Sequence, residues 1–287
     1  MKIKKIAQIR GCQDGAIWGS ELFRFDHHGH CAVYELSEIK KDEVATLTPK
    51  GEFTLDRAEV LVPHSNAVCF GTELYEEGDT YPLLYSNVYN NYAKQEEKYM
   101  GICCVYRLQR DGEGYKTTLV QLIEIGFCEK YPLWKAYEDK HGARPYGNFV
   151  IDRQNAAYYA FVMQNEERGT RYFKFDLPSV KAGEYDSSLG VKRLTLTEAD
   201  IREYFDCSFC RYIQGATVHE GRIYSTEGFT NNEVYRPAMR IIDLAKKEER
   251  YIDIMREGFK EEPEMIDFYR GTCYYSDAYG NLYTVEF

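Results

Sequence analysis

Short stretches in which apolar and polar residues alternate, separated by turn-forming Gly, Asn and Asp, run through the whole chain, and a period of two predicts half-buried β-strands. One local order recurs: a polar pair, a short apolar run, a turn, a Tyr- or Phe-rich strand, another turn, and a strand that ends in an acidic residue and Leu or its equivalent. The first copy covers residues 13–18, 22–25 and 31–36, with the turn Asp26 to Gly29 between its second and third strands. A second, with longer loops, covers 64–68, 83–85 and 103–106; a third covers 146–151, 157–163 and 172–177. The fourth is the clearest, at 213–218, 221–224 and 239–244, where Gln214-Gly215-Ala216 repeats Gln13-Asp14-Gly15-Ala16 of the first copy. A fifth runs through 264–268, 273–275 and 282–285.

No copy can cover both faces of its own sheet, so the copies are expected to stack around an axis. The expected architecture is all-β: a five-bladed β-propeller with four-stranded antiparallel blades, residues 1–287 forming one domain. The fifth copy stops after three strands, while residues 2–9 form a strand-like segment with no blade of their own; pairing the two closes the ring. The competing architectures are a six-bladed ring, with an extra blade inside the long second copy, and a β-sandwich. Thr197-Glu198-Ala199-Asp200 resembles a capping box and predicts a short helix to Tyr204 between blades. The charged runs 94–98 and 261–264 read as solvated loops.

Composition agrees with sheets: aromatics are 15% of residues, with 26 Tyr and 15 Phe but 2 Trp, and rings of this kind suit pleated surfaces. A formal charge of -10 repels nucleic-acid backbones and anionic membranes. No stretch reaches the ~20 apolar residues of a membrane helix, and the basic start precedes only a brief apolar patch at residues 6–9. Nine cysteines, an odd number mostly inside apolar runs, read as reduced, buried thiols of a cytoplasmic protein.

Chemistry is expected where the inner strands begin, because equivalent positions of every blade converge there on the central channel. The candidate ligand ring is Gln13, Asp14, His64, Asn66, Tyr146, Asn148, Gln214, Glu264 and Asp267. Left buried without partners, each polar side chain costs ~1–3 kcal/mol, so a ligand, water or mutual hydrogen bonds must satisfy them. A water-filled channel stabilised by polar side chains satisfies the same pattern. Asp14, Glu264 and Asp267 are carboxylates able to raise one another's pKa. No metal site is expected: Asp26-His27-His28-Gly29-His30 has the spacing of a hairpin turn, and Cys207-Ser208-Phe209-Cys210 has no second Cys pair. No cofactor is expected either, since Gly112-Glu113-Gly114 lacks the rest of a dinucleotide fingerprint and marks a turn.

The fourth copy, from Gln214-Gly215 through Tyr224-Ser225-Thr226-Glu227-Gly228 to Arg240-Ile241-Ile242-Asp243-Leu244, resembles the repeat of glutamine cyclotransferase-like five-bladed propellers. The resemblance covers about one blade. It implies the five-bladed fold and, as an activity, cyclisation of N-terminal glutamine. In that family a glutamate directly follows the tyrosine; here Ser225 takes its place, and Glu227, two positions on, is the candidate catalytic carboxylate, about 7 Å further along the strand. The family's pocket is lined by tryptophan, whereas this chain has Trp18 and Trp134 alone. The leading expectation is therefore recognition of a small polar molecule, sugar or peptide at the channel mouth. A cyclotransferase-like or hydrolytic enzyme and a protein-interaction scaffold are the alternatives.

Overall fold

The computed structural model describes residues 1–11, 13–40, 43–88, 99, 101–112, 114–126, 138–139, 142–143, 148–165, 169–209 and 212–287. The chain opens with strand β1 (Lys2–Gln8). The first blade follows as β2 (Gly15–Trp18), β3 (Glu21–Phe25) and β4 (His30–Glu35), with a detour through β5 (Ala45–Thr46) before its outer strand β6 (Gly51–Thr54). The second blade is β7 (Val68–Phe70), β8 (Leu84–Val88), β9 (Ile102–Asp111) and β10 (Gly114–Ile125). After the short hairpin β11 (Glu138–Asp139) and β12 (Gly142–Ala143), the third comprises β13 (Asn148–Asp152), β14 (Ala157–Asn165) and β15 (Gly169–Asp176). A detour through β16 (Glu184–Asp186) and β17 (Val191–Leu196) precedes its outer strand β18 (Glu203–Cys207). The fourth is β19 (Ile213–His219), β20 (Arg222–Glu227), β21 (Ala238–Asp243) and β22 (Glu248–Asp253); the fifth contributes β23 (Pro263–Tyr269), β24 (Thr272–Asp277) and β25 (Asn281–Glu286).

These sheets form a five-bladed propeller, and the ring closes as the pattern predicts. β1 pairs antiparallel with β25, from Lys2 opposite Glu286 to Gln8 opposite Asn281, so the first strand of the chain is the outer strand of the last blade. Ile6, Ala7 and Ile9 are thereby buried with Ile17, Leu22 and Met265.

Two blades carry more than four strands. β17 lies parallel to β10 and brings β16 with it, which makes the second sheet six-stranded. β5 likewise lies parallel to β1 and makes the fifth sheet five-stranded. In both cases the link between a blade's third and fourth strands reaches back onto the outer edge of the preceding blade and covers it. The capping box is present, with Asp200 accepting from both the backbone and hydroxyl of Thr197, but the helix is a single 3-10 turn over Glu198–Asp200. Glu203 and Tyr204, expected to end the helix, instead begin β18, which pairs with β15 as that blade's outer strand. Gly112 (φ +60°) does mark a tight turn between β9 and β10; Glu113 lies outside the described residues. The core consists of aromatic and aliphatic faces between neighbouring blades, with Phe23, Tyr106, Phe149, Phe173 and Tyr275 fully buried. Among the described residues no helix is long and apolar enough to cross a membrane.

Candidate functional site

Each inner strand begins on one face of the ring and ends on the other; the start face carries the polar ring. At its centre is Asp14, completely buried. Its Oδ2 accepts from the Val68 N–H of the second blade at 2.9 Å, while its Oδ1 lies against Gly215 of the fourth blade. A Cβ on Gly215 would stand 2.7 Å from that oxygen and 2.5 Å from the Glu264 carbonyl, so the glycine of the Gln-Gly pair is what lets three blades meet at the axis. Just beyond, Cys69 Sγ of the second blade contacts the Ala216 carbonyl of the fourth at 3.8 Å. The second and fourth blades thus meet beside Asp14, at the base of the polar ring, or cup.

Around this hub stand Gln13, Arg24, Gln214, Glu262 and Glu264. Gln214 Nε2 donates to Glu262 Oε1 at 2.5 Å and to the Gly228 carbonyl at 3.2 Å. Arg24 donates to the Asp277 carbonyl at 3.3 Å. Three acceptor atoms, Gln13 Oε1, Asp14 Oδ1 and Glu264 Oε2, are buried with no hydrogen-bond partner among the described residues. Burial raises the Asp14 carboxyl well above its ordinary range, against the opposing pull of the Val68 and Gly15 N–H groups and the Arg24 charge. Glu264 is driven well up by burial first and then by the neighbouring Glu262, again opposed by Arg24. Glu262, only partly buried, is raised to about 7 by loss of solvent. A carboxyl poised there, within reach of solvent, is equipped to give or take a proton near neutrality.

On the opposite wall Asn66 and Asn148 are joined by Asn87, whose Nδ2 donates to Asn66 Oδ1 at 2.6 Å and to Asn148 Oδ1 at 2.9 Å, while its side-chain Oδ1 accepts from the Ala67 N–H. Asn148 Nδ2 remains unpartnered among the described residues and supplies the one unused side-chain donor of this wall. His64 lies half-buried on the loop leading to Asn66. An aromatic cluster flanks the Gln214 side, with the Tyr212 ring 4.0 Å from Phe229 and 4.9 Å from Tyr235.

The ring residues therefore divide. Gln13, Asp14, Gln214 and Glu264 come together, as do Asn66 and Asn148. Asp267 sits deeper and works as a staple: Oδ2 accepts from the Ile17 N–H at 2.7 Å and Oδ1 from Thr217 Oγ1 at 2.8 Å, tying the fifth blade to the first and the fourth. Glu227 is bound by Arg240, with Nη2 to Oε1 at 3.0 Å, in the seam between blades, and Arg240 also grips Glu249. Tyr146, Trp134 and Cys210 lie outside the described residues, as does the run 94–98. The run 261–264 is not the solvated loop its composition implies: Glu264 is 3% exposed and Glu261 and Glu262 are half-buried, because closure of the ring turns the segment inward.

Three participants escape a reading of the sequence: Arg24, Asn87 and Glu262. A signal existed for the first two, since each is a polar residue inside an otherwise apolar strand, in Leu22-Phe23-Arg24-Phe25 and in Leu84-Tyr85-Ser86-Asn87-Val88. The His-rich segment is the predicted hairpin turn, with Asp26 Oδ1 accepting from the His28 and His30 N–H groups and Gly29 at φ +76°. Among the described residues, no group of three or more His, Cys, Asp or Glu side chains is placed to hold a metal ion.

No family model matches the chain, and no curated protein matches its sequence. Solved structures do. The glutaminyl cyclase of Myxococcus xanthus is 12% identical over all of this chain and 94% of its own, with a TM-score of 0.49. A Bacteroides thetaiotaomicron protein of unknown function is 11% identical over 99% of this chain and 76% of its own, with a TM-score of 0.45. The propeller of Dos1 is 9% identical over 95% of this chain, which spans 57% of that protein, with a TM-score of 0.35. At these identities the likeness concerns fold alone.

Proposed function

We propose that the cup on the start face recognises a small polar ligand, a sugar, peptide end or comparable molecule, whose polar groups pair with the cup's buried oxygens. The observation that carries this reading is the set of buried, unpartnered acceptors on Gln13, Asp14 and Glu264 around one point of the axis. Carboxyl and amide oxygens withdrawn from water without partners cost ~1–3 kcal/mol each, and a ligand bearing hydroxyl or amide groups, which both donate and accept, removes that cost. The half-exposed rings of Tyr212, Phe229 and Tyr235 offer an apolar wall for the remainder of such a ligand. The whole chain acts as one recognition unit on this reading, and the free cysteines among the described residues, all buried but the half-buried Cys207, accord with the reducing cytoplasm.

Titration calorimetry with sugars, amines and short peptides tests the reading. Gln214→Ala and His64→Ala are expected to weaken binding by about tenfold or more while leaving the melting temperature near that of the parent. Unchanged affinity in both variants would overturn it.

One observation favours a second reading. Glu262, accessible and with its pKa near 7, has the properties of a general acid or base for a hydrolytic or cyclotransferase-like reaction at the same mouth. Turnover of a bound ligand with a pH dependence lost in Glu262→Gln distinguishes catalysis from recognition.

A further inference from the structure

The opposite end of the channel has the opposite chemistry. The inner strands finish there at Trp18, Phe70, Asp152, His219 and Tyr269. Arg153, the first residue beyond β13, carries its guanidinium over the Trp18 indole at 5.7 Å from the ring centroid. Trp18 belongs to the first blade and Arg153 to the third, so the contact bridges the blade between them, whose Phe70 ring lies 5.7 Å from Trp18. The turn that holds Arg153 is rigidly tied: Asp152 Oδ1 accepts from the Gln154 and Asn155 N–H groups and Oδ2 from Asn155 Nδ2. On the fourth and fifth blades the His219 imidazole is stacked on Phe268 at 4.0 Å, and Arg270 stands over Tyr269 at 5.1 Å.

In a chain of formal charge -10, a half-buried guanidinium is expected to find a carboxylate. Arg107, Arg193 and Arg240 each do. Among the described residues Arg153 makes no hydrogen bond or ion pair, and its guanidinium lies over the indole face. Asp152, its neighbour in sequence, is committed to its own turn, and Asp267 to Ile17 and Thr217. A guanidinium fixed by stacking, with its fork of N–H donors unused, is arranged to receive a planar or tetrahedral oxyanion bidentately.

We infer that this end of the channel is a second binding site, independent of the cup, for a small molecule whose oxyanion, phosphate or carboxylate, is held by Arg153 while its apolar part packs on the half-buried Trp18, which the buried Phe70 backs. His219 and Arg270 add donors at the margin.

Phenyl phosphate, benzoate and inorganic phosphate are the probes, followed by calorimetry and by phosphorus or proton line broadening. The folded wild-type protein is expected to bind phenyl phosphate or benzoate saturably at about 10 mM or below, and the preferred probe identifies the oxyanion. Arg153→Ala is expected to weaken binding about tenfold or more, and Trp18→Ala to weaken phenyl phosphate more than inorganic phosphate. Arg202→Ala, which removes an equal charge from an exposed pair with Asp176, leaves binding unchanged. Absence of saturable binding by the wild type overturns the inference, as does wild-type affinity in Arg153→Ala. Should that variant not fold, Arg153→Lys, which keeps the charge and loses the fork, decides: affinity equal to the wild type overturns the inference, and a clear loss sustains it.

Discussion

Glu262 shows how much one side chain depends on what closes over it. In the unfolded chain it titrates near 4.5; in the fold it titrates at about 7, since burial favours the neutral acid. The native state therefore binds a proton more readily than the unfolded state across that interval, so this residue's contribution to stability is full below about pH 4.5 and is lost as pH rises through about 7. Glu262→Gln cannot titrate and its amide oxygen can still accept from Gln214. Urea midpoints measured from about pH 5 to pH 7.5 are expected to fall less steeply in the variant than in the wild type, and parallel curves would refute this account. Composition pointed the other way, because a run of glutamates near a turn reads as solvated until the surrounding blades are known. By contrast, Asp14 and Gln214 were legible as polar residues heading apolar strands, and the Gln-Gly pair proved to matter through the missing Cβ of Gly215 as much as through the amide.

Strands were the most legible elements, and the links between them the least. Most inner and middle strands overlap the stretches where the alternation of apolar residues put them, although the second blade's inner strand, expected at 64–68, runs over Val68–Phe70; β16, β17 and β5 attach to a neighbouring blade, a choice made by the unpaired edges available in space. The same holds for β18, whose sequence follows a real capping box yet pairs with β15. Inner strands of different blades do not hydrogen-bond as a sheet; side chains such as Asp267 join them. Asp267→Ala leaves the buried Ile17 N–H and the Thr217 hydroxyl without their acceptor, and the expected loss is about 3 kcal/mol of unfolding free energy in urea. A loss below about 0.5 kcal/mol would show that the seam holds without it.

At the scale of the whole molecule, closure is the decisive event. β1 completes the fifth blade and simultaneously receives β5 from the first, so it links both ends of the blade sequence. Deleting residues 1–8 would uncover Leu282 and the β25 edge and remove Ile6 and Ala7 from the core. The expected outcome is a protein that melts well below the parent and over a broader range, since a solenoid-like array without closure loses cooperativity. A melting curve matching the parent's would mean that closure contributes little. The closed ring also separates two chemical environments, an acceptor-rich cup at one end of the axis and an arginine stacked on indole at the other, with the Cys69–Ala216 contact between them.

By itself the sequence determined the class of structure, the number of repeats and the place where the chain's two ends meet, because those follow from a period of two within strands and a longer period between blades. It also indicated which strand starts carry polar groups. Tertiary structure alone decided which of those groups converge, which are consumed as staples and which keep an unused acceptor, since such distances lie between blades far apart in sequence. Asp14 and Gly215 touch because the first and fourth blades meet in the closed ring, whereas Glu227 is claimed by Arg240 across one hairpin of the fourth blade.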